Sequence, residues 1–433
     1  MPKLQEDTLL IAYDNEIGLV YFPKKGALLS TTSNHAKGLQ RVYDDYLHKR
    51  LLPNECSDFE QFIEQSFQSK AVLPEMSYPS LLERDVLMRL EIMLANDCNL
   101  NCKYCYANGG SYGKARQRMQ PKKAIEYLDA LLIGRFHNVG TVMLFGGEPT
   151  LVPETIQTIC NYFSKKVKDG TFHSMPVFTM VSNGTLIDER LVSIIKEFDI
   201  KVTISIDGPK DINDLLRVDR NGNGTFSRIE RGVRMLKMAD CPPRMIEATY
   251  TSLHSQMGYE KEDIRTYLKN HFGVEKVLIS NCTPVSDGND QCDNSLAFSD
   301  DSISEPFENS MMIKHALSRT SYIDISCGAG INSCTIMPNG DLFPCHFFVN
   351  HPEFRISTYS DETYSFDDYP TTLLQLSYAH KDMNPTCKAC WAKSLCSACP
   401  AGMLLDIEDN SFCKQERNRL VRVLLSEAKK VRH

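Results

Sequence analysis

The stretch "VLMRLEIMLANDCNLNCKYCYANGG", residues 86–110, joins an apolar run of strand length to three cysteines spaced C-x3-C-x2-C. Its opening run, "VLMRLEIML", is the first of a series that continues with "TVMLF" (141–145), "VFTMVSNG" (177–184), "KVTISIDG" (201–208), "MIEATYTSL" (245–253) and "VEKVLISN" (274–281). Amphipathic segments such as "PKKAIEYLDALLIGRF" and "DERLVSIIKEFD" stand between them. Short apolar runs alternating with amphipathic helices predict parallel strands joined by right-handed crossovers. About six such units fill residues 86–281, enough for an α/β partial (β/α)6 TIM-like barrel. Ligands of such sheets bind at the carboxyl ends of the strands, and the cysteine loop follows the first strand at that end.

At 433 residues the chain exceeds one ordinary domain. Its net charge of −7 offers no broad basic surface for nucleic acid. No apolar run approaches the ~18 residues that would span a bilayer, and the opening "MPKLQEDTLLIAYDNEIG" lacks the pattern of an export signal. These features predict a cytoplasmic protein without nucleic-acid or membrane partners.

Residues 282–325 are polar, acidic and turn-rich in their first part and read as a linker. Residues 326–413 are cysteine-dense with few long periodic segments, as expected of a small domain held by metal. Residues 414–433 read as a basic amphipathic helix with a solvated face. Residues 1–85 open with a hairpin around Asn15 and continue into a helix, which suits a small separate domain.

Sixteen cysteines in a large chain without an export signal point to metal more than to disulfides. Cys56, Cys160, Cys241, Cys282 and Cys292 are scattered, whereas Cys98, Cys102 and Cys105 cluster, as do those from Cys327 to Cys413. Three thiolates leave a four-ligand zinc site incomplete. A four-iron cubane asks for one outer ligand per iron, so three cysteines leave one iron open. On spacing alone, a zinc knuckle or redox-inert cysteines are still alternatives.

"LFGGEPTL" (144–151) follows the second strand, where Gly146 and Gly147 permit close backbone approach. Alone it is also an ordinary strand-to-helix turn. With the three-cysteine loop one strand earlier, it resembles the radical S-adenosylmethionine (SAM) enzymes. The resemblance covers roughly residues 86–281 and implies a 4Fe-4S cluster on Cys98, Cys102 and Cys105, whose open iron SAM chelates. It implies Tyr106 near the adenine, Gly146, Gly147 and Glu148 at the SAM ammonium, and Ser182 and Asn183 at the ribose. Arg217 of "SIDGPKDINDLLR" becomes the clamp on the SAM carboxylate, a bidentate task suited to guanidinium. An ion pair of Arg217 with Asp207 is the plainer alternative. The implied chemistry is reductive cleavage of SAM to a 5'-deoxyadenosyl radical, with flavodoxin or ferredoxin as electron donor.

The distal cysteines stand in "SCGAGINSCTIMPNGDLFPCHFF", "CKACWAKSLCSAC" and "FCKQ". A zinc ribbon on Cys387, Cys390, Cys396 and Cys399 is one reading, but it leaves the others without a role. Their order resembles the SPASM extension of radical SAM enzymes that modify peptides. By that pattern Cys327, Cys334, Cys345 and Cys399 hold one auxiliary 4Fe-4S cluster, and Cys387, Cys390, Cys396 and Cys413 a second, three clusters in all. The step from Cys396 to Cys399 departs from the pattern, with x2 where the family has x3.

In sulfatase-maturing members the residue after the cysteine of "NGDxxPC" is an aspartate that acts as base. Here it is His346, which can still serve as a base near neutral pH or can simply pack over a cluster. The resemblance therefore favours a maturase of ribosomally synthesised precursor peptides, forming a cross-link such as a thioether. Sulfatase-type oxidation to formylglycine is the alternative within the class, and a non-catalytic zinc or iron-sulfur module is the alternative outside it. Residues 1–85 suit a winged-helix-like module that recruits the leader of the precursor, or a structural cap.

Overall fold

A computed structural model describes residues 9–66, 75–76, 83, 85–282, 292–298, 322–323, 327–379, 381, 384–396, 399–405 and 411–431. Most of the expected linker at 282–325 lies outside the described residues. The chain divides into two compact units, one of Met1–Tyr78, Asp301–Gly328 and Leu374–His433, the other of Pro79–Asp300 and Ala329–Leu373.

In the first unit, strands β1 (Leu10–Tyr13), β2 (Gly18–Phe22) and β3 (Ala27–Thr31) form an antiparallel meander. Its first turn closes because Asp14 Oδ1 accepts from the backbone of Glu16 at 2.7 Å and Ile17 at 2.9 Å. Alternation sorts the side chains to two faces. Leu9, Ile11, Val20 and Phe22 share a core with Tyr43, Tyr46, Phe59 and Ile63 of helices Ser33–Leu47 and Pro53–Ser66. Leu10, Ala12, Leu19 and Tyr21 share another with Leu420, Val423 and Leu424 of the helix Ser411–Val431. The amino- and carboxyl-terminal segments thus form one layered body. A short strand, β4 (Glu75–Met76), belongs to the same unit.

The second unit is built on β5 (Val86–Met93), β6 (Asn138–Phe145), β7 (Val177–Ser182), β8 (Lys201–Ser205), β9 (Met245–Tyr250) and β10 (Val277–Asn281), each parallel to the next. Helices cross between them, with Pro121 and Pro153 starting two, Asp188 capping a third and left-handed Gly273 ending a fourth. Their inward residues and the strands make one large core. This is the partial barrel that the periodicity predicts.

Two-residue β11 (Tyr322–Ile323) pairs with β4 in the first unit. Beyond it, β12 (Ser333–Ile336) adds in parallel to the free edge of β5, followed antiparallel by β13 (Asp341–Phe343), β14 (Ser357–Ser360) and β15 (Thr363–Tyr364). The barrel sheet therefore grows to ten strands, and the segment holding Cys334, Cys345 and His346 lies on the barrel unit. No helix among the described residues is long and apolar enough to cross a membrane.

Candidate active site

At the carboxyl ends of β5 to β10 lies a cavity of about 450 Å³. Cys98, Cys102 and Cys105 stand on its wall, together with Tyr106, Gly146, Gly147, Glu148, Ser182, Asn183, Arg217 and His346. Residues spread over nearly 250 positions of sequence are thus brought to one chamber. Tyr106 is on the rim, 46% exposed, its ring 5.9 Å from that of Phe347.

The cysteine loop is anchored just ahead of Cys98. Asp97 receives Arg116 at 2.6 Å, Arg118 at 2.7 Å and also Arg220. Arg220 additionally donates to the Cys98 carbonyl. Burial would raise the Asp97 carboxyl, but the arginines overcome it and hold it at about 2. The Asp97 carbonyl accepts the Glu148 N–H at 2.8 Å, and the Ala95 carbonyl that of Gly147 at 2.8 Å. A Cβ on Gly147 would strike the Asp97 carbonyl and come within 2.8 Å of Gly110 Cα. The double glycine therefore lets the second strand's turn close on the cysteine loop itself.

Glu148 is buried and accepts four hydrogen bonds: from Thr150 N at 3.1 Å, Thr150 Oγ1 at 2.5 Å, Ser182 Oγ at 2.8 Å and Asn183 N at 2.8 Å. Burial raises its carboxyl above the ordinary range, and these donors work against that. Asn183 Nδ2 also donates to Asn99 Oδ1 at 2.9 Å, in the cysteine loop. Ser182 and Asn183 therefore support the acidic group of the GGEP turn as well as facing the cavity.

Arg217 forms the ion pair with Asp207, at 3.6 Å, and still reaches the cavity wall. Between them stands Tyr104, inside the cysteine spacing, which donates to Asp207 Oδ2 at 2.5 Å and accepts from Arg217 at 2.6 Å. Arg217 Nε is buried with no hydrogen-bond partner among the described residues. A guanidinium with one edge spent and a buried donor unmet is suited to an anionic ligand. Sequence reasoning missed Tyr104; its place between Cys102 and Cys105 was the available signal.

His346 follows Cys345, which lies two residues beyond strand β13, and β12 carries that strand to the barrel. Its Nδ1 lies 2.9 Å from Glu91 Oε1 and 3.1 Å from Oε2. The ring sits 4.8 Å from Phe145 and 4.3 Å from Phe347. Glu91 was also missed, although an acidic residue in the apolar half of "VLMRLEIML" was there to be seen.

A second cavity, of about 30 Å³ and wholly in the first unit, has Cys387, Cys390, Cys396 and Cys413 on its wall. Cys399 is not on that wall. Cys334 and Cys345 are buried in the barrel unit, while Cys327 and Cys399 belong to the first unit. Burial pushes Cys102 and Cys334 up to about 12 and Cys387 to about 11. Among the described residues no three His, Cys, Asp or Glu side chains converge on a single metal ion. A cubane takes one thiolate at each iron corner and so asks for more widely spaced sulfurs. Three cysteines around a chamber large enough for a further ligand fit an open-sided cluster better than a zinc knuckle.

A family model described as the Radical SAM superfamily matches residues 92–268. An uncharacterized protein of Methanocaldococcus jannaschii is 33% identical over 193 residues, 45% of this chain and 62% of that protein. A cysteine-type anaerobic sulfatase-maturating enzyme of Clostridium perfringens is 29% identical over 154 residues, 33% of this chain and 39% of that enzyme. The chain thus spans less than two thirds of the length of these curated relatives. The solved structure of native anSMEcpe with bound AdoMet matches with a TM-score of 0.57 at 18% identity, over 79% of this chain and 100% of that one, a likeness of fold. Residues 92–268, which hold the three-cysteine loop and most of the barrel, therefore match the Radical SAM superfamily model, and the barrel is similar in fold to that of a radical SAM enzyme.

Proposed function

We propose that the chain is a maturase that cross-links a ribosomally synthesised precursor peptide, forming a thioether between a cysteine sulfur and a carbon of another residue. The observation that carries this reading is His346 on the wall of the three-cysteine cavity, in the place where sulfatase maturases resembling this chain have an aspartate. Bound on Cys98, Cys102 and Cys105, a 4Fe-4S cluster would supply the electron that cleaves SAM to a hydrogen-abstracting 5'-deoxyadenosyl radical, and auxiliary clusters on the distal cysteines would accept the electron left on the substrate.

The chain's own residues hold the reactants and move the proton. Arg217 pairs the SAM carboxylate, Glu148 with Gly146 and Gly147 receives the ammonium, and Ser182, Asn183 and Tyr106 border the nucleoside. His346 accepts the proton of the substrate thiol. Cys327, Cys334, Cys345 and Cys399 serve one auxiliary cluster; Cys387, Cys390, Cys396 and Cys413 serve the other. Among the described residues β1 and β3 are the outer strands of the amino-terminal sheet, and a leader peptide would add to one of these edges. Thiols kept reduced as metal ligands suit the cytoplasm, with a flavodoxin or ferredoxin as reductant.

Anaerobic reconstitution tests the reading: three four-iron clusters give about twelve iron and twelve sulfide per chain. Zinc without iron overturns it. The combined variant Cys98→Ala, Cys102→Ala, Cys105→Ala must lose 5'-deoxyadenosine formation and keep about eight iron. With a cysteine-containing peptide encoded beside this chain's gene, a thioether product is two hydrogens lighter and has one thiol fewer. The similarity to a sulfatase-maturating enzyme favours a second reading, oxidation to formylglycine, and a product that has exchanged its sulfur for a carbonyl oxygen would establish that instead.

A further inference from the structure

Glu91 occupies β5 in register with Met143 of β6 on one side and Thr335 of β12 on the other. Paired residues of neighbouring strands point to the same face, and Met143 lines the cavity. The Glu91 side chain accordingly projects into the barrel, where it is 3% exposed. An acidic group there carries a desolvation cost that only a strong partner offsets. Its partner is the His346 imidazole, 255 positions away, delivered by the β12–β13 hairpin added to the edge of β5.

The direction of this hydrogen bond decides what the imidazole can do. A carboxylate only accepts, so the proton between the two belongs to Nδ1. In the neutral ring the lone pair then sits on Nε2, at the opposite edge. Phe145 and Phe347 flank the ring at 4.8 and 4.3 Å and limit its rotation. His346 is itself 17% exposed and borders the cavity shared with Cys98 and Arg217.

We propose that Glu91 is a positioning residue for proton transfer: through its contact with Nδ1 it holds the His346 ring in one orientation and presents Nε2 to the substrate. This inference rests on the reading of His346 as the base. In the step, the substrate S–H bond breaks, its proton joins Nε2, and the electron pair stays on sulfur as thiolate. Nδ1 keeps its hydrogen throughout, so no proton passes along the pair. Glu91 has no contact with the substrate in this scheme, and all of its effect travels through His346.

A double-mutant cycle on the reconstituted holoenzyme tests this. Product per 5'-deoxyadenosine is measured with SAM, dithionite and a synthetic cysteine-containing peptide as substrate. In the His346 background Glu91→Leu is expected to lower that ratio about 10- to 100-fold through kcat, with KM little changed. Glu91→Gln keeps an acceptor for Nδ1–H and should recover most of the loss. In a His346→Gln background Glu91→Leu should cost nothing further.

An equal Glu91→Leu penalty in both backgrounds, or a parallel loss of 5'-deoxyadenosine and product at constant ratio, would mean a structural role and overturn the inference. If His346→Gln lowers the ratio and Glu91→Leu does not, the base survives and Glu91 is excluded. If His346→Gln leaves the ratio unchanged, the base reading falls first, and this inference with it.

Discussion

Ser182 Oγ donates to Glu148 Oε1 across 2.8 Å, tying the end of β7 to the turn after β6. The acceptor is a buried carboxylate, so the bond is charge-assisted whenever Glu148 is ionised. Ser182→Ala should therefore cost ~1–2 kcal/mol of stability, read as a lowered midpoint in urea. It should also weaken SAM binding, measured by anaerobic equilibrium dialysis, because Glu148 loses one of the donors that favour its charged form.

Glu148 also predicts a pH effect of definite sign. Its folded-state pKa is raised by burial, so its contribution to stability is full below the ordinary glutamate value and declines as pH rises through the folded value. In urea titrations across mildly acidic pH, Glu148→Gln should lose this decline while the wild-type chain keeps it. A wild-type chain whose stability climbs over that window as steeply as the variant's would contradict the raised value.

Asp97 works in the opposite direction. Its pKa is held at about 2, so its contribution is present above the ordinary aspartate value and is lost as pH falls toward 2. Asp97→Asn should remove that acid-limb loss and destabilise the chain by ~2 kcal/mol at neutral pH, less than for a fully buried pair because the three arginines are half exposed. Thermal melts of the apo chain at pH 7 and pH 3 would show a variant deficit at pH 7 that narrows in acid.

The barrel and its cysteine loop were legible because both are written locally, one as alternating strand and helix periods and the other as spacing within eight residues. The pairing of β12 with β5 was not legible. "SCTI" is short, carries a cysteine that reads as a metal ligand, and meets a strand more than 240 residues earlier. Glu91 went unnoticed for the same reason, since its meaning depends on His346, which only that pairing supplies. Gly146 and Gly147 were read as room for a ligand. In the structure the room at Gly147 is filled by Asp97 and Gly110, and the ligand-facing role passes to the atoms that this contact positions.

That contact makes Gly147→Ala informative. The new methyl would collide with the Asp97 carbonyl and Gly110 Cα, both backbone atoms that cannot rotate away. Overpacking of this kind costs ~1–3 kcal/mol. Because the displaced segment is the one leading into Cys98, iron content after reconstitution should, on the proposed assignment, fall by about four per chain, with iron bound elsewhere retained. Full iron loading in this variant would mean that the loop tolerates the turn's withdrawal.

The distal site offers a matching case in which a charge, not a glycine, holds the ligand loop. Lys381 is 3% exposed on the wall of the cavity with Cys387, Cys390, Cys396 and Cys413. Its Nζ donates to the Lys393 carbonyl at 3.0 Å and to the Cys396 carbonyl at 2.6 Å. These bonds gather the backbone on either side of residues 394–395 and so fix where the Cys396 thiol points. Lys381→Met fills similar volume but removes both of these bonds, a cost of ~1 kcal/mol for each. Reconstituted variant protein should lack about four iron per chain while still forming 5'-deoxyadenosine from SAM and dithionite, because the residues around Cys98 are untouched. Loss of SAM cleavage together with the iron would instead tie the distal site to the first cluster's assembly.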